Sequence, residues 1–467
     1  MTQTSPLAGI ILAAGLGTRM KSVLPKCAHP VCGIPMVEHI GRAMRAVGVD
    51  RPVVVIGHGG EVIRTSLSQE QYRFAVQETQ EGTGHAARCA ADELAGFDGP
   101  ILLTPGDTPL LDADALKMIV DHHRATDAQV TVATFELPDA GQYGRIIRSA
   151  GRFEKIVEFK NATPEERLVR EVNSGVYCFD AKHLFDSLPK LSKENEQGEY
   201  LLTDVLELAT HVECVVFPDD SIFKGVNNRW EMAEAQEILR RRILRTHALN
   251  GVTLEDPNSI QIGPDVTIAQ DVLIRAGTIL EGTTSIGTGS VIGPYTQISD
   301  SAVGEEAAIR QSVVNNATIG NSVRIGPFAH IRPLSVIKDG AKVGNFVETK
   351  KTVIGEGAAA NHLSYLGDAE VGPRANVGAG TITCNYDGFE KHRTTIGPEA
   401  FVGSNSTLVA PVTIGDGAII AAGSTITSDV PAQAMAFGRA VQVTKEGRAE
   451  EFRSKKREKL GHGNGGK

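Results

Sequence analysis

The apolar residues follow two different rhythms along the chain. Up to about residue 229, short runs such as LAGIIL (7–12), PVVVI (52–56), ILLT (101–104) and QVTVATF (129–135) alternate with longer segments of helical spacing, among them 35–47 and 84–95. Short apolar and β-branched runs are the pattern of buried strands. Strands that alternate with helices build a mostly parallel sheet covered by helices. Residues 229–249 (RWEMAEAQEILRRRILRTHAL) keep helical spacing in strong helix formers and stop at Asn250-Gly251, a helix terminator. This predicts a connecting helix, with a first domain at 1–229 and a linker at 230–250.

Beyond Gly251 the period becomes six. Ile262, Ile268, Ile274, Leu280, Ile286, Ile292 and Ile298 form one run. Ile319, Ile325, Ile331, Ile337 and Val343 form a second, and Ile396, Val402, Leu408, Ile414, Ile420 and Ile426 a third. An amphipathic helix does not repeat at six. A hexapeptide repeat is the signature of a parallel β-helix, with the aliphatic residues inward and small residues at the corners of a triangular coil. With three hexapeptides to a coil, residues 252–430 predict about ten coils, each rising by about 4.8 Å. The β-helix domain is placed at 251–447. Its rhythm breaks at 348–376 and 383–395, where polar residues cluster, and a bare rod has no need of such breaks. The tail, 448–467, is basic and then Gly-rich, and is expected to be frayed.

Composition narrows the function. The 50 glycines lie in no low-complexity tract and point to many tight turns. A formal charge of -9 argues against a broad basic face for nucleic acid, while leaving room for a local basic pocket. Cys27, Cys32, Cys89, Cys178, Cys214 and Cys384 form no C-x-x-C pair, which fits a reducing, cytoplasmic setting. MTQTSPLAGIILAAG has no basic n-region, and no stretch reaches the roughly 18 apolar residues of a membrane span. Neither a signal peptide nor a membrane helix is expected.

The first strand runs into Leu12-Ala-Ala-Gly15-Leu-Gly17-Thr18-Arg19-Met20, followed by Pro25-Lys26. Glycines here let backbone N–H groups approach a phosphate, and Arg19 and Lys26 supply positive charge. The dinucleotide fingerprint is not met, because Met20 stands where its third Gly belongs, and there is no G-K-[ST] of a P-loop. Further motifs follow in order: Gln77, Glu81-Gly82-Thr83-Gly84-His85-Ala86, Pro105-Gly106-Asp107, Tyr143-Gly144-Arg145, Val157-Glu158, Glu171-Val172-Asn173-Ser174-Gly175 and Gly225-Val226-Asn227-Asn228-Arg229. Together with the hexapeptide repeat they resemble the bifunctional N-acetylglucosamine-1-phosphate uridylyltransferase / glucosamine-1-phosphate N-acetyltransferase family, over about residues 7–447.

The resemblance implies an α/β Rossmann-like nucleotidyltransferase domain followed by a left-handed parallel β-helix. The hand comes from the resemblance, since parallel crossovers are ordinarily right-handed. It also implies nucleotide contacts at Leu12, Ala13, Ala14, Gly15, Lys26, Gln77, Gly82 and Thr83, with Arg19, Pro105 and Gly106 beside them. Sugar contacts fall on Gly144, Glu158 and Asn173, and Mg²⁺ ligands on Asp107 and Asn227. Mg²⁺ takes hard oxygen ligands and keeps several waters, so one carboxylate, one amide oxygen and substrate phosphates suffice. Position 105 is Pro where the family often has Tyr, which removes that side chain and an N–H and leaves Asp107 intact.

In the second domain, Asn361-His362-Leu363-Ser364-Tyr365-Leu366-Gly367-Asp368 interrupts the hexapeptides. It lies between Asn345-Phe-Val-Glu348-Thr-Lys350-Lys351 and Asn376-Val-Gly-Ala-Gly-Thr-Ile-Thr-Cys384-Asn385-Tyr386-Asp387. An amine must lose a proton to attack a thioester, and a His is suited to take it, so His362 is expected to be the general base. The resemblance places the phosphorylated amino sugar on Arg332, Lys350, Tyr365 and Asn376, and acetyl-CoA on Ala379, Asn385, Tyr386, Ser404, Ala422 and Arg439. Cys384 is expected to be an exposed thiol, since direct transfer needs no covalent carrier. A homotrimer through the β-helix, small-molecule substrates and no nucleic-acid or membrane partner complete the expectation. Two other readings are a single-function nucleotidyltransferase whose β-helix only assembles a trimer, and a non-enzymatic scaffold. The His362 and Asn385-Tyr386 strings count against the first, and the ordered nucleotide motifs against the second.

Overall fold

The computed structural model describes residues 6–195 and 198–461. The chain divides into two compact units. One runs through Leu249 and takes in Gln261–Asp265; the other comprises Asn250–Ile260 and everything from Val266 on.

The first unit is built on a nine-stranded sheet. Its strands are β1 (Ala8–Ala13), β2 (Val53–Ile56), β3 (Arg73–Val76), β4 (Pro100–Pro105), β5 (Val130–Glu136), β6 (Arg145–Ser149), β7 (Arg152–Val157), β8 (Glu171–Asp180) and β9 (Val212–Phe217). The spatial order is β9-β5-β8-β4-β1-β2-β3, with β6 and β7 forming an antiparallel hairpin beside β8. Strand β1 lies parallel to both β2 and β4. The chain leaves β1 toward β2 and β3 and returns on the other side at β4. The loops at the carboxyl ends of β1 and β4 therefore diverge, and a crevice opens at this switch point. The expected strands and helices are present, but the sheet is less uniformly parallel than the alternation implies. Strand β8 is antiparallel to β4 and β5, and its pairing with β5 shifts register between Asn173 and Tyr177. A bulge of this kind re-aims side chains, and this one lies beside the crevice.

Helices α1 (Met36–Ala46), α2 (Thr83–Ala91) and α3 (Ala113–Thr126) cover the sheet. Each turns a small or aliphatic stripe inward, such as Met36, Val37, Ile40 and Met44 of α1. Helix α4 (Arg229–Leu249) ends at the expected Asn-Gly, with Gly251 at φ 94°. It does not merely link. Ala235, with Met232, Ile238 and Leu239 around it, packs on Val31, Met36, Leu110 and Val226, and Arg242 Nη1 donates to the Leu110 carbonyl at 2.7 Å. The helix is part of the first unit.

The second unit is a parallel β-helix whose three sheets hold eleven, ten and nine short strands. Inward residues stack in register from coil to coil. One column runs Ile274, Ile292, Ile309, Ile325, Val343, Ala360, Val377, Val402 and Ile420, all buried. Buried hydroxyls at the corners are satisfied by backbone. Ser312 Oγ, for example, donates to the Arg310 carbonyl at 2.7 Å and accepts from Ala329 N at 3.1 Å. One corner carries bulky residues in left-handed backbone: Tyr295, Phe328, Phe346 and Leu363, with φ of 50°, 61°, 58° and 48°. They are 71%, 53%, 56% and 62% exposed, and the Phe328 and Phe346 rings stack at 5.4 Å.

The frayed tail expected from composition is instead a helix, α5 (Arg448–Gly461), over its described part. Its helix formers are tied by Glu451 ion pairs to Arg448 and Lys455, at 2.6 and 2.9 Å, which favour helix locally. Residues 462–467 lie outside the described residues. Among the described residues, no helix is long and apolar enough to cross a membrane.

Candidate active sites

A cleft of about 470 Å³ opens at the switch point, within the usual size of small-ligand sites. Gly17, at φ 60°, turns the chain after β1. A Cβ there would come within 2.7 Å of Lys26 Cβ, so glycine is what lets the loop pass close to the lysine. Lys26 heads a 3-10 turn, and its ammonium forms an ion pair with Asp107, the residue that follows β4. Both side chains are largely buried. The same ammonium lies 3.3 Å from Asn227 Oδ1, which also accepts from Arg19 Nη2 at 2.9 Å. Asn227 has no freedom to turn its amide. Its backbone N–H and its Nδ2 both donate to Glu231 Oε2, at 2.7 and 3.1 Å, so Oδ1 must face Lys26. The two chain segments are pinned by Val226 N donating to the Asp107 carbonyl at 2.8 Å.

Two hard oxygens thus converge on one cation. Among the described residues there is no group of three or more His, Cys, Asp or Glu able to hold a metal. A divalent ion here would have two protein ligands and take the rest from phosphates and water, which suits Mg²⁺.

Leu12, Ala14, Gly15, Lys26, Gln77, Gly82, Thr83, Pro105, Asp107, Glu158 and Asn173, all expected from sequence, line this cleft. Ala13 is buried behind it. Gly106 sits under the loop, its N–H donating to the Leu12 carbonyl at 2.8 Å. Asn227 reaches the site through Lys26, and Arg19 through Asn227; neither forms part of the cleft wall. Gly144 lies beside Glu158, and its carbonyl accepts from Asn173 N at 2.9 Å. At the β8 bulge, Asn173 is held by the Tyr177 hydroxyl at 2.7 Å and by Gly175 N at 3.0 Å. Burial first, and then the Asp204 carboxylate, hold the Glu158 carboxyl above the usual range. Gln77 Nε2 is engaged by the Gly82 carbonyl and His85 Nδ1, each at 3.1 Å, which leaves Oε1 as its available acceptor. Cys27 also lines the cleft, but burial, reinforced by Asp107, pushes its thiol up to about 12; it stays protonated and is no nucleophile.

In the β-helix, strands Lys342–Asn345, Ala359–His362, Asn376–Val377, Phe401–Val402 and Ile419–Ile420 stack with Lys342, Ala359, Asn376, Phe401 and Ile419 in register. Equivalent corner positions in five successive coils are therefore Asn345, His362, Ala379, Ser404 and Ala422. Four of these five were singled out from sequence. His362 is exposed, and its Nδ1 lies 2.7 Å from Asn345 Oδ1. On the far side of His362 the column continues in small residues.

On the adjoining face, Lys350 is surrounded by positive charge. Lys391 beside it, and then Arg332 and Lys351, hold its ammonium below the usual lysine range. Arg332 Nη1 pairs with Glu348 at 2.6 Å. A Cβ at Gly367 would strike the Tyr365 hydroxyl, so glycine makes room for that phenol. Asn385 Nδ2 donates to Asp368 at 2.5 Å on the same patch. Asn376 starts its strand three positions before Ala379, Tyr386 is exposed on the inserted arm, and Arg439 is exposed after the last strand. Cys384 is half-buried. Sequence reasoning gave no role to Lys391, Glu231 or Gln80, the last of which donates to the Ala14 carbonyl at 2.5 Å. Lys391 had a signal in the polar insertion that carries it.

A crevice of this topology with these oxygens and this ammonium is the arrangement of a nucleotidyltransferase, and the coil with its interrupted corner is that of a hexapeptide transferase. The MobA-like NTP transferase domain matches residues 9–211, and the bacterial transferase hexapeptide (six repeats) matches 393–428. Bifunctional protein GlmU of Geobacillus thermodenitrificans (strain NG80-2) is 48% identical over 453 residues, 96% of this chain and 98% of that protein. The protein of the same name from Geobacillus sp. (strain WCH70) is 48% identical over 452 residues, with the same coverage. That from Halalkalibacterium halodurans is 48% identical over 442 residues, 94% of this chain and 97% of that protein. The chain belongs to the GlmU family of bifunctional proteins, with a nucleotidyltransferase unit followed by a left-handed β-helical acetyltransferase unit.

Proposed function

We propose that the β-helix acetylates glucosamine-1-phosphate with acetyl-CoA, and that the first unit transfers uridylyl from UTP to the resulting N-acetylglucosamine-1-phosphate, releasing pyrophosphate. The observation that carries this reading is the presence, in one chain, of two hard oxygens converging on a buried ammonium and of an exposed His at the head of a small-residue column.

In the first unit the sugar phosphate attacks the α-phosphorus of UTP, and the bond to the leaving pyrophosphate breaks. Lys26 and Arg19 neutralise the phosphates, while Gly144, Glu158 and Asn173 orient the sugar. Gln77 Oε1 accepts an N–H of the base, which suits uracil. Asp107 and Asn227 Oδ1 would hold Mg²⁺. That ion, when bound, supplies further neutralisation of phosphate charge. No residue needs to become covalently attached.

In the β-helix, Lys350, Arg332 and Lys391 hold the phosphate of the amino sugar, with Tyr365 and Asn376 on the ring. The pantetheine arm of acetyl-CoA lies along Ala379, Ser404 and Ala422, where small side chains leave room for an extended chain. His362 takes a proton from the amine as it attacks. The exposed ridge of Tyr295, Phe328, Phe346 and Leu363 supports a homotrimer through the β-helix, since a bulky apolar residue in left-handed backbone is costly unless packing uses it. Six cysteines without a disulfide support a cytoplasmic setting.

The test supplies the purified chain with glucosamine-1-phosphate, acetyl-CoA, UTP and Mg²⁺, and follows CoA and pyrophosphate separately. CoA should appear without UTP, and pyrophosphate should require either acetyl-CoA or ready-made N-acetylglucosamine-1-phosphate. Pyrophosphate release with no CoA ever formed would reduce the chain to a single-function enzyme.

A further inference from the structure

We infer that Asn345 is the residue that sets the tautomer of His362, so that Nε2 is the atom that takes the amine proton. The inference rests on the reading of His362 as general base and names the partner that makes it one.

The argument starts from the ladder. In a parallel coil, equivalent residues of neighbouring turns sit side by side at strand spacing, and Asn345 and His362 are equivalent in consecutive coils. Their backbones are tied, since Leu363 N donates to the Asn345 carbonyl at 3.0 Å. The backbone of His362 is fastened within its own corner as well, where Ser364 Oγ donates to its carbonyl at 2.9 Å. With both main chains fixed, the Asn345 side-chain oxygen lies 2.7 Å from Nδ1. An oxygen there can only accept, so Nδ1 carries the hydrogen. In a neutral imidazole Nε2 then keeps its lone pair.

The reaction balances around that atom. The amine nitrogen forms a bond to the thioester carbon as Nε2 takes one of its protons. The tetrahedral centre collapses, the carbon–sulfur bond breaks, and the proton passes from Nε2 to the departing CoA thiolate. An imidazole in the other tautomer would present a hydrogen to the amine and take nothing. Asn345 acts here through His362; it is a positioning residue.

The experiment compares Asn345→Leu, which removes the acceptor at similar size, with Asn345→Asp, which keeps an oxygen there. For Asn345→Leu, kcat of acetyl transfer should fall about 10- to 100-fold, as when the partner orienting a functional His is lost, with KM for glucosamine-1-phosphate nearly unchanged. Asn345→Asp should restore most of kcat, and uridylyl transfer should be normal in both. The unsubstituted chain gives an independent readout that does not depend on either variant folding. Its imidazole ¹⁵N shifts, with the His362 signal assigned by its loss in His362→Ala, should show the hydrogen on Nδ1. Parental kcat in Asn345→Leu, equal impairment of both variants, or a hydrogen on Nε2 would overturn the inference. His362→Ala separates the two failures. If it keeps acetyl transfer, the general-base reading itself falls. If it loses acetyl transfer while Asn345→Leu does not, only the role of Asn345 falls.

Discussion

Lys26 shows how much one side chain decides at the first site. Its ammonium pairs with Asp107 and reaches Asn227 Oδ1, so the chain neutralises its own carboxylate where a divalent ion would sit. A divalent ion on these oxygens would compete with the lysine for them, and like charges at this range repel strongly even with effective screening. Lys26→Met should therefore bind Mn²⁺ more tightly in the absence of nucleotide, by about tenfold or more, measured by the loss of free-ion EPR signal. Its uridylyl transfer should nonetheless fall, because the phosphates lose a cation. Unchanged or weaker Mn²⁺ binding would show that the oxygens are not a shared site. At the second site, His362→Ala should lower acetyl transfer by about 10²- to 10⁴-fold, the range for a positioned general base, and leave pyrophosphate release from UTP and N-acetylglucosamine-1-phosphate untouched. A purely structural His would instead lower the melting temperature with acetyl transfer largely kept.

The inserted arm is the element whose role depends most on tertiary folding. Tyr386 and Lys391 form an antiparallel bridge, and Asp387 accepts from the backbone of Phe389 and Glu390 and pairs with His392 at 2.7 Å. These contacts hold the Asp387 carboxyl well below its usual range, the backbone N–H of Glu390 first. The stiffened arm sets Lys391 against Lys350, an arrangement of two like charges that an anion relieves. Lys391→Ala should raise KM for glucosamine-1-phosphate by about tenfold, the loss of one charge-assisted hydrogen bond, with kcat retained. An unchanged KM would remove Lys391 from the phosphate site. The sequence revealed the coil because every inward residue meets the same surroundings at a period of six. It revealed the break at 383–395 because polar residues interrupt that period. It did not reveal where Lys391 points, since an arm that folds back on itself has no period to read. The bulge in β8 was hidden for a related reason: the motif at 171–175 was visible, but neither the antiparallel direction nor the register shift at Asn173 is written in a run of strand formers.

At the scale of the molecule, the question is where the first catalytic unit ends. The helical pattern at 229–249 reads as a connector, which would leave residues 1–229 sufficient for uridylyl transfer. The packing argues otherwise. Glu231 holds both the backbone and the side-chain amide of Asn227, and without it Oδ1 is no longer forced toward Lys26. Ala235, Met232, Ile238 and Leu239 cover Val31, Met36 and Leu110, and Arg242 caps the Leu110 carbonyl. Removing the helix exposes that apolar surface and frees the Asn227 oxygen that faces Lys26 at once. A fragment 1–249 keeps all of this. It forgoes Gln261–Asp265, whose half-exposed Asp265–Arg42 ion pair contributes about 0–1 kcal/mol. The expected outcome is that fragment 1–249 releases pyrophosphate from UTP and N-acetylglucosamine-1-phosphate at a rate close to that of the full chain, while fragment 1–229 does so poorly even when soluble. Melting curves and the Mn²⁺ titration distinguish the two causes of that loss. A lower melting temperature with normal Mn²⁺ binding traces it to the uncovered apolar surface, and weakened Mn²⁺ binding traces it to the released Asn227. Equal activity of the two fragments would return the boundary to residue 229 and strip Glu231 of its part in the site.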